Sequence, residues 1–524
     1  MAGAAAAGRD TKVNRDYSLR PQNETTIAVN PWSPNMLVGG ANDYRLGAPI
    51  GAAFYTSFDG GFTWNDGIPP YPLLAVTTGN ATRLTETPFG TGDPVLAFGR
   101  ARAGTAGLAP GTPTVYYAYL GVSASFCEHG IFVSRSTDGL LWSRPVVPPL
   151  APPAGSFAAV YWNSANNCGV FNDKPWLAVD TSGGPHDGRL YVTWSRFVFS
   201  HDKYQESPIL MTYSDDNGET WSEPLEVSGS SKSLCGEQIS GPAGRCDESQ
   251  FSSVVVGPDG GVHIAFVNQQ SRGENDGFRN LYLVAKVDPD TLAVSGPYKA
   301  AGLIDGQNDF PANALGQPTL CNSNFRLNSA GNLALDPSDA SGNTLYLAFM
   351  DNRNGAAFPF PTYVTQEPRD SFACPAGTTT DTDVFIVKSG DGGVSWTSPT
   401  GTAAPLRVNQ DSLRNGRDQW FPFVAVAPSG RVDVVFYDRR EDPVNRLARL
   451  YLARSADGGA TWTETRISDA PSNMNWAFDE GLFIGDYNAL AISPNGTSYP
   501  LWADARNGTP DSRQSDLFLD IVSP

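Results

Sequence analysis

Aspartate and arginine recur together along this chain at a spacing suited to charge chemistry. They stand as Asn42-Asp43-Tyr44-Arg45, Asp351-Asn352-Arg353, Tyr437-Asp438-Arg439-Arg440 and Trp502-Ala503-Asp504-Ala505-Arg506, with Trp194-Ser195-Arg196 a member that has the arginine but serine for the aspartate. One pair alone reads as a local ion pair that a repeated fold would repeat. Together, Arg45, Arg353, Arg439 and Arg506 offer rigid guanidinium forks that suit a carboxylate-bearing substrate. A second polar set opens a series of apolar runs: Glu24, Asp93, Asp173, Glu248, Gln250, Arg326, Asp418, Trp420, Asp486 and Tyr487. Asp43 and Trp420 join the arginines as substrate-binding candidates. Asp93, in Gly92-Asp93-Pro94, is the best candidate for an acid/base, with Asp43 next. His129, His186, His201 and His263 are too few and scattered for a metal cluster. Asp305-Gly-Gln-Asn-Asp309 could hold a structural calcium, but it matches no calcium-loop pattern and reads as turns. No cofactor is called for.

The elements that must position these residues are repeats. Four copies of Ser-x-Asp-x-Gly-x-Thr/Ser-Trp run Ser57–Trp64, Ser214–Trp221, Ser389–Trp396 and Ser455–Trp462, and a copy one residue short runs Ser136–Trp142. Each follows an apolar run such as Val384-Phe-Ile-Val387, so each sits in a β-hairpin turn. Asp59, Asp138, Asp216, Asp391 and Asp457 accept the turn's own N–H groups, Gly takes positive φ, and Trp plugs the hairpin. These five aspartates are read as structural. Three-strand units ahead of the motifs recur at 26–65, 93–144, 174–224, 250–297, 331–398, 421–466 and 486–522, which makes seven. The last unit lacks an outer strand, and Thr11–Leu19 is expected to supply it and close a ring. The motif turns would then occupy one face. The Asp/Arg signatures and the inner-strand starts would share the other.

The eight-residue pattern is the Asp box, and the chain resembles the sialidase/BNR-repeat β-propellers over nearly its whole length. The resemblance implies an all-β propeller, here with seven blades against the six typical of sialidases. Asp247-Glu248-Ser249-Gln250 is similar to the family segment whose glutamate activates a tyrosine nucleophile, and Gly485-Asp-Tyr487-Asn is similar to the segment bearing that tyrosine. Asn42-Asp-Tyr-Arg45 resembles the stretch that ends the family's first blade. The resemblance thus implies Tyr487 as nucleophile, Glu248 as its activator and Asp93 as acid/base. The family's N-terminal Arg-Ile-Pro is absent at Gln22-Asn23-Glu24-Thr25.

Composition narrows the remaining classes. The net charge of −18 offers no basic stripe for a nucleic acid. No run of about 18 apolar residues is present to span a membrane. Residues 1–10 read as a disordered stub, such as remains after a leader is removed or a start appended, and 11–524 as one domain. The six cysteines fall in polar loops, which suggests three disulfides and a secreted protein, with nearest-neighbour pairing the simplest of several connectivities. The sequence therefore points to a monomeric, secreted glycosidase that acts on an anionic glycan by a retaining mechanism. A uronate-directed polysaccharide lyase and a non-catalytic glycan- or protein-binding propeller are the alternatives.

Overall fold

Seven antiparallel sheets follow one another around an axis, and each repeats the same path from an inner strand outward. The computed structural model describes residues 9–47, 50–78, 81–86, 90–103, 107–123, 127–147, 157–158, 160–163, 168–201, 203–238, 244–270, 280–367, 369–478 and 481–524, with only the backbone at 74–86, 157–158 and 163. Most of the expected stub lies outside these residues, but Asp10 is held by Arg506 at 2.6 Å.

Blade one consists of Gln22–Val29, Leu37–Asp43, Gly51–Ser57 and Asn65–Gly67. Blade two is Gly90–Arg100, Pro113–Val122, His129–Ser136 and Tyr161–Asn163, and blade three is Val170–Val179, Leu190–Ser200, Ile209–Ser214 and Leu225–Glu226. Blade four is Ser249–Val256, Val262–Gln269, Asn280–Val287 and Val294–Leu303; blade five is Leu333–Leu335, Leu345–Asp351, Asp383–Ser389 and Leu406–Arg407. Blade six is Gln419–Val426, Val432–Asp438, Arg449–Ser455 and Thr463–Arg466. Blade seven takes Ala489–Ile492, Ser498–Asp504 and Asp516–Leu519 from one end of the chain and Thr11–Lys12 from the other. Thr11 pairs with Leu519 and Lys12 with Phe518, so the expected closure is present. Blade two is the irregular one. Pro145–Val147, which follows its short motif, pairs with Leu73–Thr78 in a separate small sheet, and the outer strand comes only at Tyr161–Asn163.

The motif turns are self-satisfied. Ser57 Oγ donates to Asp59 Oδ1 at 2.8 Å, Thr63 N to the same oxygen at 2.9 Å and Thr63 Oγ1 to Asp59 Oδ2 at 2.6 Å. Slight burial pushes the Asp59 carboxyl up, but the bonds from Thr63, Ser57 and Phe62 outweigh it and hold it at about 2. The turns at Asp216, Asp391 and Asp457 repeat these contacts, and Asp138 accepts from Ser136, Leu140 and Leu141. Each turn lies beside a first-to-second strand turn, as in the bonds Gly60 N to Asn35 O and Gly392 N to Asn343 O. The motifs therefore occupy the face opposite the inner-strand starts.

Their tryptophans do not pack on their own blades alone, as a hairpin plug would. They sit in the seams with the preceding blade. Trp64 shares a core with Leu501, Leu517 and Leu519 of blade seven, and Trp142 with Phe54 and Val38 of blade one. Trp221 and Trp396 lie against the clusters joining blades two and three and blades four and five. The hydrophobic core is thus a ring of inter-blade clusters. The seam before blade four, which carries no motif, includes the Cys235–Cys246 disulfide. Cys127–Cys168 and Cys321–Cys374 complete the nearest-neighbour pairing.

Candidate functional site

Inner strands carry a repeated irregularity at the end that faces the funnel. Blades one, two, three, four and six each break register there, between Asn23 and Thr26, Gly92 and Val95, Asp173 and Trp176, Gln250 and Ser253, and Trp420 and Phe423. The first extra residue of each bulge is left-handed: Glu24 (φ 56°), Asp93 (53°), Lys174 (52°), Phe251 (55°) and Phe421 (50°). A bulge inserts one residue and re-aims its side chain, at a backbone cost of roughly 1–3 kcal/mol for a non-glycine residue. Val426 pairs with Val432 at the far end of blade six as Leu335 pairs with Leu345 and Ile492 with Ser498. Counting back by the same interval places Ala330 and Tyr487 at the equivalent positions of blades five and seven. Seven equivalent positions thus surround the axis, and they carry two acids, a lysine, three aromatic side chains and an alanine.

Four of them, Asp93, Lys174, Phe251 and Ala330, border a cavity of about 400 Å³ lined also by Asp173, Arg326, Asp486 and Asp305, with Gln250, Gln269, Asn280, Gln317 and Asn328 as an amide wall and Phe197 and Phe310 as further apolar surface. Glu24, nearly fully buried, adjoins Asp93, and Asn42 Nδ2 donates to Glu24 Oε2 at 2.5 Å. Burial, then repulsion from Asp93, pushes the Glu24 carboxyl well above its ordinary range. Its carboxyl is hydrogen-bonded to Asp93. Asn42 Oδ1 also accepts from Asp93 N at 2.7 Å. Burial and the charges of Asp93 and Asp486 raise Asp173 to about 7, against the pull of Arg326. Asp486 receives both arms of Arg326, at 2.5 and 3.2 Å, and Asn328 Nδ2 at 3.2 Å. The Lys174 ammonium lies 3.5 Å from the centre of the Tyr487 ring and has no hydrogen-bond partner among the described residues. Burial lowers its pKa against the pull of Asp93, Glu24, Asp486 and Asp173.

The structure brings the residues expected from the sequence together only in part, and several corrections follow. Asp93 lines the cavity. The Tyr487 hydroxyl is buried without a hydrogen-bond partner among the described residues, and burial followed by the charges of Glu24 and Asp93 holds the phenol well above its ordinary range. Glu248, buried just ahead of blade four's inner strand, is not among the cavity residues, and the glutamate whose charge bears on the Tyr487 phenol is Glu24. The arginines do not ring the funnel. Arg45 binds Asp43 at 2.6 Å and reaches outward to Asp66 on the fourth strand, and Arg506 binds Asp504 and Asp10. Arg353 binds Asp351 at 2.6 Å. In blade six the repeated position belongs to Arg440, bound to Asp438 and Glu464. Arg439 is fully buried over the Trp420 ring at 4.9 Å, and Trp420 is itself core, stacked on Tyr437. Asp43 is enclosed by Arg45, Tyr55 and Gln22. These arginines are engaged inside their blades because a guanidinium two residues from a strand-end carboxylate meets it before any ligand can. Lys174 is the charged cavity residue that sequence reasoning did not single out, and the amide wall of Gln269, Asn280, Gln317 and Asn328 was not singled out either. Asp305 lies in the stretch read as turns, and burial raises it to about 7.

Fold and site together define a seven-bladed β-propeller with an acidic, amide-walled axial cavity on the face opposite its tryptophan turns. No family model matches the sequence, and no curated protein matches it. Among solved structures, an α-L-arabinofuranosidase from Fusarium graminearum in complex with an iminosugar inhibitor aligns over 99% of this chain and 98% of its own, at 12% identity and a TM-score of 0.42. A Penicillium chrysogenum α-L-arabinanase complexed with arabinobiose covers 99% of each chain at 12% identity and 0.43. A Hadza microbial sialidase aligns over 93% of this chain and 73% of its own at 14% and 0.41. Similarity at this level says nothing of activity or substrate, and the blade count stands on the strand pairing. Among the described residues no group of three or more His, Cys, Asp or Glu side chains is arranged to hold a metal, and no helix is long and apolar enough to cross a membrane.

Proposed function

We propose that the axial cavity is the active site of a secreted glycoside hydrolase acting on a neutral glycan. The observation that carries the reading is two cavity carboxyl groups in opposed environments. Asp173 keeps its proton to about pH 7, whereas the Asp93 carboxyl is hydrogen-bonded by Asn42 Nδ2 at 3.5 Å and to Glu24. Two carboxyls set in such different surroundings suit the acid and the carboxylate of glycoside hydrolysis. Asp173 protonates the departing glycosidic oxygen, and Asp93 stabilises or captures the sugar's positive centre. Arg326 holds Asp486 beside them, and the Gln and Asn wall offers donors and acceptors to sugar hydroxyls.

The charge of the cavity supports a neutral sugar. Asp93, Asp173, Asp305 and Asp486 face two cations, Lys174 and Arg326, and Arg326 is already paired. Arg326 is held by Asp486 and the Lys174 ammonium lies over the Tyr487 ring, so neither lining cation is left free to grip a glycan carboxylate. The three disulfides fit an oxidising compartment.

A panel of neutral and anionic oligosaccharides, read for reducing ends and for ultraviolet absorbance, tests the reading. Cleavage of a neutral glycan without an absorbing product is expected, and kcat/KM should fall as pH rises past about 7, because Asp173 must carry its proton. Asp173→Asn should lose about 10²–10⁴-fold in kcat with the melting curve retained. Tyr487→Phe should stay active; its inactivation would restore the tyrosine as nucleophile. Turnover confined to anionic glycans would overturn the neutral-sugar reading.

A further inference from the structure

The axial cavity does not end at the axis. A second, more open hollow of about 930 Å³ lies on the same face, over the border of blades seven and one, lined by Leu19, Arg20, Tyr44, Phe478, Ser512 and Arg513 among others. The wall between the two hollows is aromatic. Tyr44 meets Phe478 edge-on at 4.8 Å, Phe478 meets Phe483 edge-on at 5.8 Å, and the Arg326 guanidinium lies 4.5 Å over Phe483. Arg326 in turn holds Asp486 inside the axial cavity. At the other end of the wall, Tyr44 belongs to the second hollow while its phenol feels the carboxylates Glu24 and Asp93.

We infer that the two hollows form one cleft for a polymeric glycan, with the scissile bond at the axis and further sugar units running over the Tyr44–Phe478–Phe483 ridge into the hollow beside Leu19 and Arg513. The inference rests on the hydrolase reading for the nature of the ligand and extends it from a sugar to a chain. Aromatic rings present the flat apolar surface that covers a sugar's C–H face, and polar side chains such as Arg513 and Ser512 at the rim suit its hydroxyls. Arg513, which lines this hollow, is held in place by Asp370 at 2.6 Å and by the Asn475 carbonyl, so little side-chain entropy remains to be lost on binding. A cavity of about 400 Å³ falls at the small end of ligand pockets, whereas the combined cleft accommodates several units.

The test measures length dependence. Xylo-, cello- and arabino-oligosaccharides of graded length are titrated calorimetrically against Asp173→Asn protein, and their cleavage is followed with the unaltered enzyme. Affinity and kcat/KM should rise with length until the second hollow is filled. Phe478→Ala should remove about tenfold of that gain. Leu19→Asp, a change at an exposed residue outside the aromatic wall, should remove part of the gain and keeps the test standing should Phe478→Ala disturb folding. Cleavage or binding that does not improve with length, or a gain untouched by both variants, overturns the cleft while sparing the hydrolase. Binding that lengthens without any cleavage supports the cleft and overturns the hydrolase. Absence of binding to every glycan sinks both.

Discussion

At φ 53° Asp93 holds a backbone that a glycine would adopt without strain, and its carboxylate is nonetheless in the cavity. Strain and chemistry can therefore be separated at this one residue. Asp93→Gly should abolish turnover but melt no lower than the unaltered protein, whereas Asp93→Ala should abolish turnover and be less stable than the glycine variant by about 1 kcal/mol. A glycine variant less stable than the unaltered protein would show that the carboxyl's bonds to Asn42 and Glu24 outweigh the backbone term. Glu24 and Lys174 share the conformation, and this explains why the site was only half legible. Asp93, Asp173, Arg326 and Asp486 could be assigned to the right face from sequence, because strand starts are readable from apolar runs. Glu24 was readable on that face as well, but nothing signalled that a left-handed bulge would bring Lys174 to the cavity, since non-glycine residues at positive φ leave no pattern. The arginine signature was fully visible, but spacing alone does not say whether a guanidinium points at a ligand or at its neighbour.

Among elements, the motif turn was the most legible because its atoms satisfy one another within eight residues. Its contact with the preceding blade was invisible, because that surface comes from distant sequence. A Cβ on Gly459 would stand 2.9 Å from Pro399 Cγ in blade five's outer loop, on top of a φ of 91°. Gly459→Ala should therefore cost about 2 kcal/mol, or roughly 2 °C in Tm for a chain of this length. Gly390→Ala, at a glycine of another motif with nothing within 4 Å and no positive φ, should leave Tm unchanged. Equal shifts in differential scanning calorimetry would show that the turns do not bear on the seams.

For the whole molecule, the balance of buried and exposed carboxyls sets a pH optimum of stability. Asp173, Asp305 and Asp381 are each raised to about 7, chiefly by burial. The folded state thus binds protons the unfolded chain has released, and stability present below about pH 4 is lost as pH rises through 7. The motif aspartates act oppositely: hydrogen bonds hold Asp59 at about 2, so its contribution is lost as pH falls through that value. Tm should peak near pH 4–5, and a Tm that climbs steadily from pH 5 to 8 would contradict the buried acids' effect. The short pairing of Thr11–Lys12 with Leu519 and Phe518 matters out of proportion to its length. It makes the molecule an arch bent into a circle, in which every stone is wedged by two neighbours and none can loosen first. An open solenoid frays from its ends and melts in stages, but a circle has no end stone. With that clasp present, calorimetric and van't Hoff enthalpies should agree. With Thr11–Val13 deleted, blade seven becomes an abutment with nothing behind it, and the melt should separate into steps.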